Sequence, residues 1–244
     1  MTRKRHFANW LFCCVAVALT SGVIHAQSNP PAAPVTELRL HIGLPLKEKH
    51  GPVPAVAWLE PTAGTPALAF VPHGHYTLLQ KNRMFIPHLQ IIPVGTSVQF
   101  PNADPFFHNV FSLFDGKRFD LGLYEAGSSK SVTFTREGAS YIFCNIHPEM
   151  SAVVLALSTP LYTVADTNDS VIIRNVPPGD YNLHLWIEGI PQPVLDSSTR
   201  PVHLSRGTVD LGTVTITTAP AANAAHTNKF GSAYDPNAKS PYEH

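Results

Sequence analysis

The segment Lys130–Met150 reads KSVTFTREGASYIFCNIHPEM. Lys130 to Arg136 alternates polar and apolar residues, the period of a strand with one buried face. A second β-rich run, Ala139–Phe143, leads directly into Cys144, with His147 and Met150 at +3 and +6. Strands that deliver three metal-binding side chain types to one short loop place the chemistry at a strand end.

The same texture extends outward in both directions. Short runs rich in Val, Ile, Phe, Tyr and Thr recur about every ten residues, separated by Gly, Pro, Asn and Asp. They include Glu37–Ile42, Ala55–Glu60, Phe85–Pro93, Asn109–Leu113, Ala152–Leu157, Val171–Val176 and Thr208–Thr217. No long stretch carries helical periodicity, so the fold class is all-β. NVPPGDYNLHLW at Asn175–Trp186 sets strong turn residues between two runs and predicts a hairpin. A boundary near Ser158–Leu161 gives a domain over 35–158, with its core at 84–158, and a smaller sandwich over 160–218. From Ala219 the chain is rich in Ala, Asn, Pro and Ser, which predicts a disordered tail over 219–244.

Arg3, Lys4 and Arg5 precede an apolar run from about Trp10 to Leu19 and small residues ending at Ala26, the pattern of an export signal over 1–26. The run is short of the roughly 20 residues a membrane-spanning helix needs. The expected protein is therefore exported, periplasmic or secreted, and not membrane-spanning. Cys13 and Cys14 leave with the signal, so Cys144 has no internal disulfide partner in an oxidising compartment and needs another reason to be there. Discounting the three leading basic residues leaves three more acidic than basic side chains, and no nucleic-acid-binding patch is suggested.

A thiolate is a soft ligand, imidazole is intermediate, and a thioether is soft but weak; together they favour copper. Two histidines and a cysteine in a trigonal plane with a long axial methionine form a blue-copper electron-transfer site. Cys144, His147 and Met150 supply three of those ligands, and His108 in FPNADPFFHNVFS is the candidate for the fourth. With 13 His and 3 Met in 244 residues, a given Cys has His at +3 and Met at +6 about once in 1,500 trials.

GTSVQFPNADPFFHNV followed by EGASYIFCNIHPEM resembles the plastocyanin, azurin and amicyanin group of cupredoxins, with loop spacing similar to amicyanin. The resemblance implies a Greek-key β-sandwich holding one type 1 copper ion through His108, Cys144, His147 and Met150, with Asn109 joining the two ligand loops. It implies a one-electron carrier that is not an enzyme, with a cytochrome or dehydrogenase as redox partner. The whole chain also resembles exported methylamine-utilisation-like proteins, in which such a domain precedes a carboxypeptidase-regulatory-like, prealbumin-like or Ig-like sandwich. Asn109 and Ile146 each have a backbone N–H to offer the Cys144 sulfur, which proline in place of Ile146 would lack. Phe106, Phe107 and Pro148 are expected to form an apolar collar around an exposed edge of His147, the electron port.

His73 and His75 in VPHGHY are two apart; on a strand they would face one side and offer a second metal site. Multicopper oxidases need several His-x-His pairs, and this is one. A cysteine hydrolase would leave Met150 and the upstream FFHN unexplained. The rival to the electron carrier is a copper-binding or copper-delivery protein of the cell envelope, with the metal as cargo.

Overall fold

The computed structural model describes residues 36–45, 53–113, 116–221 and 227–234. The expected signal over 1–26 lies outside them. Strands β1 (Thr36–Gly43) and β2 (Ala55–Pro61) lead into β3 (Tyr76–Thr77), β4 (Leu79–Lys81), β5 (Met84–Ile86), β6 (Leu89–Pro93) and β7 (Thr96–Pro101). There follow β8 (His108–Ser112), β9 (Phe119–Tyr124), β10 (Ser129–Phe134), β11 (Gly138–Cys144) and β12 (Ser151–Leu157). The chain continues through β13 (Tyr162–Val164), β14 (Ser170–Val176), β15 (Gly179–Ile187), helix α1 (Gln192–Ser198), β16 (Arg200–Leu204) and β17 (Thr208–Thr215).

In β7 and β10 the sequence alternation translates directly into structure. Val98, Phe100, Val132 and Phe134 are buried, whereas Ser97, Gln99, Ser131 and Thr133 are exposed. The two strands pair antiparallel in a three-stranded sheet of order β10-β7-β3. A five-stranded sheet of order β6-β12-β11-β8-β9 contributes Ile92, Val110, Ile142 and Val154 to the same core. All-β architecture built from packed sheets follows, as the strand periods require.

β12 reads SAVVLAL, with no alternation, because both of its faces are covered. Ala152, Val154 and Ala156 belong to the core just described. Val153, Leu155 and Leu157 point the other way, into a second core. That second core lies among a sheet of order β14-β1-β17 and one of order β13-β2-β15-β16. Full burial of Leu155 alone contributes about 1.5–3 kcal/mol. Polar ties cross the same junction: His88 Nε2 lies 2.8 Å from Glu188 Oε1 and its Nδ1 3.1 Å from the Ser151 carbonyl. The Trp186 indole N–H donates to the Tyr141 hydroxyl at 3.3 Å.

Strand pairing differs from the expected grouping of 35–158. β1 pairs with β14 and β17, and β2 pairs with β13 and β15, so both early strands join the later sandwich and the β3–β12 run sits between them in sequence. The expected hairpin at Asn175–Trp186 is also corrected. β14 pairs with β1 and β15 with β2 and β16, so the Pro177-Pro178 turn, which has no N–H groups to offer a hairpin, carries the chain from one sheet to the other. Phe85–Pro93 divides into β5 and β6, and the short helix α1 with β16 occupies the interval before Thr208.

Candidate metal centre

Two neighbouring antiparallel strands bring the first donors together. β8 begins at His108 and β11 ends at Cys144; the register sets Cys144 opposite Val110 and Phe143 opposite Phe111. Side chains alternate along a strand, so His108 and Val110 share one face, as do Cys144 and Ile142. The start of β8 therefore meets the end of β11 at one end of the sheet, on its core side. The chain then turns back: the Met150 N–H donates to the His147 carbonyl at 3.0 Å and the Cys144 N–H to the Met150 carbonyl at 3.3 Å. These bonds hold His147 over the other two donors.

The resulting triangle is small and dry. Cys144 Sγ lies 3.7 Å from His108 Nδ1 and 3.6 Å from His147 Nδ1, and the two nitrogens are 3.1 Å apart. His108 and Cys144 are fully buried and His147 is 3% exposed. Burial pushes the Cys144 thiol up, against the backbone N–H groups of Asn109, Ile146 and His147, which stabilise its anion. The N–H groups of Asn109 and Ile146, the two singled out in the sequence, lie among those that favour the thiolate, with that of His147 beside them.

Asp104, which the sequence reading passed over, sets the chemistry of His108. Its Oδ2 accepts the His108 Nε2–H at 2.9 Å. A carboxylate can only accept, so the ring proton sits on Nε2 and the Nδ1 lone pair points into the triangle. Burial holds His108 below the ordinary imidazole range, partly opposed by Asp104. Burial pushes the Asp104 carboxyl up, but N–H bonds from Arg83 at 3.0 Å and Asn82 at 2.6 Å, together with His108, outweigh it and leave it low. Asn82 and Arg83, both at φ 56°, form the turn between β4 and β5 that presents those N–H groups. The signal in the sequence was an acidic residue four positions before a candidate ligand.

Asn109 is placed beside the centre, although its side chain does not reach the Cys144 loop. The Asn109 amide donates to Asp120 Oδ1 on β9 at 2.7 Å, and its link to Cys144 is the backbone N–H. Met150 is fully buried in the same apolar core as Cys144. Phe106 packs on both histidine rings, with centroids 5.3 Å from His108 and 5.4 Å from His147, and the Arg83 guanidinium lies over the Phe106 ring at 5.3 Å. Phe107 and Pro148 are exposed. The expected exposed edge of His147 is corrected, since the ring is buried. His73 and His75 lie on an irregular exposed segment before β3 rather than on a strand. Residues 227–234, within the expected disordered tail, lie against the ligand loop: the Tyr234 hydroxyl donates to the Cys144 carbonyl at 2.9 Å.

The donor set can be tested against an ion. Two ring nitrogens at about 2.0 Å and a thiolate at about 2.3 Å in a trigonal plane require edges of about 3.5 Å between nitrogens and about 3.7 Å from each to sulfur. The nitrogen–sulfur edges match and the nitrogen–nitrogen edge is a few tenths of an ångström short. These residues fit a soft or borderline metal ion without rearrangement of the backbone.

Among the described residues, the fold is β throughout apart from the short helix α1, and it holds a buried His, Cys, His donor group. No family profile matches the chain, and no curated protein matches it. Among solved structures it is similar to a copper-containing nitrite reductase from Thermus scotoductus SA-01, at 27% identity over 40% of this chain and 25% of that one, TM-score 0.33. It is similar also to a purple cupredoxin from Nitrosopumilus maritimus, at 24% identity over 34% of this chain and 99% of that one, TM-score 0.31. A copper(I) amicyanin variant matches at 21% identity over 41% of this chain and 98% of that one, TM-score 0.33. The chain spans a quarter of the length of the nitrite reductase.

Proposed function

We propose that the protein is an exported type 1 copper protein that carries single electrons between redox partners. The observation that carries this reading is the buried triangle of two imidazole nitrogens and one sulfur, with edges of 3.1, 3.6 and 3.7 Å. His108, His147 and Cys144 would hold the ion, with the Met150 thioether as a weak fourth ligand. Bound copper would supply a one-electron couple. The chain's own work is to keep the donors in place: His108 is fixed by Asp104, His147 and Met150 by the backbone bonds that close the loop, and Cys144 by its position at the end of β11. N–H groups aimed at the sulfur stabilise the more negative, reduced site and so raise its potential. Phe107 and Pro148, exposed beside the buried rings, are the surface through which a cytochrome or dehydrogenase would exchange the electron. The later sandwich, carboxypeptidase-regulatory-like in this reading, serves as a scaffold.

The cargo reading has two observations in its favour: His147 is 3% exposed, and a segment of the chain lies on the ligand loop. Titration of the purified protein with Cu(II) tests the centre. An intense visible thiolate-to-copper band at one copper per chain, lost in Cys144→Ser, supports it; a colourless protein that takes zinc equally well refutes it. Voltammetry then separates the two readings, since a fast reversible couple with the metal retained favours the carrier and ready loss of copper to a chelator favours cargo.

A further inference from the structure

The last described stretch, 227–234, is organised around one side chain. Asn228 Oδ1 accepts the N–H groups of Phe230 at 2.9 Å and Ser232 at 3.0 Å. The Asn228 N–H donates to the Ser232 carbonyl at 2.8 Å and Gly231, at φ 79°, donates to the Asn228 carbonyl at 2.9 Å. This compact turn is fastened to the metal centre at three points. The Lys229 N–H donates to Asn145 Oδ1 at 2.9 Å, the Lys229 ammonium meets Asp120 Oδ2 at 2.8 Å, and the Tyr234 hydroxyl donates to the Cys144 carbonyl at 2.9 Å. Asp120 in turn holds Asn109, the neighbour of His108. Lys229 therefore bridges β9, the strand paired with the one that carries His108, and the loop that carries His147.

We infer that residues 227–234 form a latch on the ligand loop, which must lift before Cys144 and His147 can open to admit or release a metal ion. All three donors are buried, so an incoming ion reaches them when the loop between Cys144 and Met150 moves outward. That movement carries the Cys144 carbonyl and the Asn145 amide with it and breaks their bonds to the latch. Local openings of this kind are governed by the few bonds they break, independently of global unfolding. The inference concerns metal entry at the proposed centre, but its central test uses the metal-free protein.

The test is the rate at which iodoacetamide alkylates Cys144 in the metal-free, folded full-length chain, in a chain ending at His226, and in Tyr234→Phe. Loss of the whole latch is expected to raise the rate about tenfold or more, and loss of the one hydroxyl bond by about fivefold or less, with global unfolding midpoints unchanged. Equal rates in all three proteins would overturn the latch whether or not copper binds. A rise matched by an equal rise in global unfolding would overturn it too, because the segment would then only stabilise the fold. Transfer of Cu(I) to a chromophoric chelator should accelerate in the same order, and a failure of copper binding with the alkylation order intact would count against the proposed function alone.

Discussion

Replacing Asp104 with asparagine removes one charge and little volume, and it isolates what the carboxylate does for His108. Asp104 receives three donors: His108 Nε2–H and the Arg83 N–H on Oδ2, and the Asn82 N–H on Oδ1. Asparagine has one carbonyl oxygen to aim. Aimed at His108 and Arg83, it turns its amino group on the Asn82 N–H, donor against donor. Aimed at Asn82, it forces the imidazole to accept, which moves the ring proton to Nδ1 and into the donor triangle. Either arrangement loses the carboxylate that keeps Nδ1 basic and unprotonated. Outer partners of this kind are worth about 10–100-fold in metal affinity, or about 1.4–2.7 kcal/mol. One weakened bond in the turn removes a further 1–3 kcal/mol or so from the stability of the metal-free protein. Competition for Cu(I) against a chromophoric chelator, with denaturant unfolding alongside, measures both. An affinity within about twofold of the parent protein would refute the role assigned to Asp104.

Three other outcomes follow from particular contacts. Ile146→Pro deletes an N–H directed at the Cys144 sulfur, and voltammetry of the copper-loaded variant should give a lower potential; an unchanged one removes the assignment. Hydrogen bonding to Glu188 raises the His88 pKa, so this tie stabilises the fold fully below the ordinary histidine value near 6.5 and is lost as pH rises through the raised one. Thermal midpoints should fall across that window, by a small amount because the ring is partly exposed, and His88→Gln should flatten the slope; an identical slope in the variant contradicts the linkage. Leu155→Ala, on the doubly covered strand, should cost about 2–5 kcal/mol in chemical denaturation, and a loss under about 1 kcal/mol would mean that the junction it fills is loosely packed.

The donor triangle was legible because its residues are close in sequence or lie on adjacent strands: Cys144 and His147 share a loop, and the run before His108 has the composition of a strand. Alternation in KSVTFTR named the buried face of β10 correctly. What stayed hidden depended on long-range partners. Whether β1 and β2 pair with the middle of the chain or its end is not written in their alternation, which only says that one face is covered. Ala152–Leu157 was read as a strand, but the burial of both its faces emerged only with the two cores it separates. Asp104 looked like a loop residue before proline, and its role appears only when the β4–β5 turn folds over it. The polar composition of the tail suggested no core contact, and its described residues 227–234 belong to neither core; they are held by hydrogen bonds, which composition does not reveal.

The pairing of β1 and β2 with strands at the far end of the chain sets an order on biosynthesis. Both leave the ribosome early, and their partners β13 to β17 begin to emerge about a hundred residues later. Until then two apolar strands wait with open edges, the situation in which nascent chains are most exposed to aggregation and most dependent on chaperones. The intervening β3–β12 segment has its pairings complete within itself, so the strands that bear His108 and Cys144 can pair while the flanking sandwich is still unmade and before residues 227–234 are synthesised.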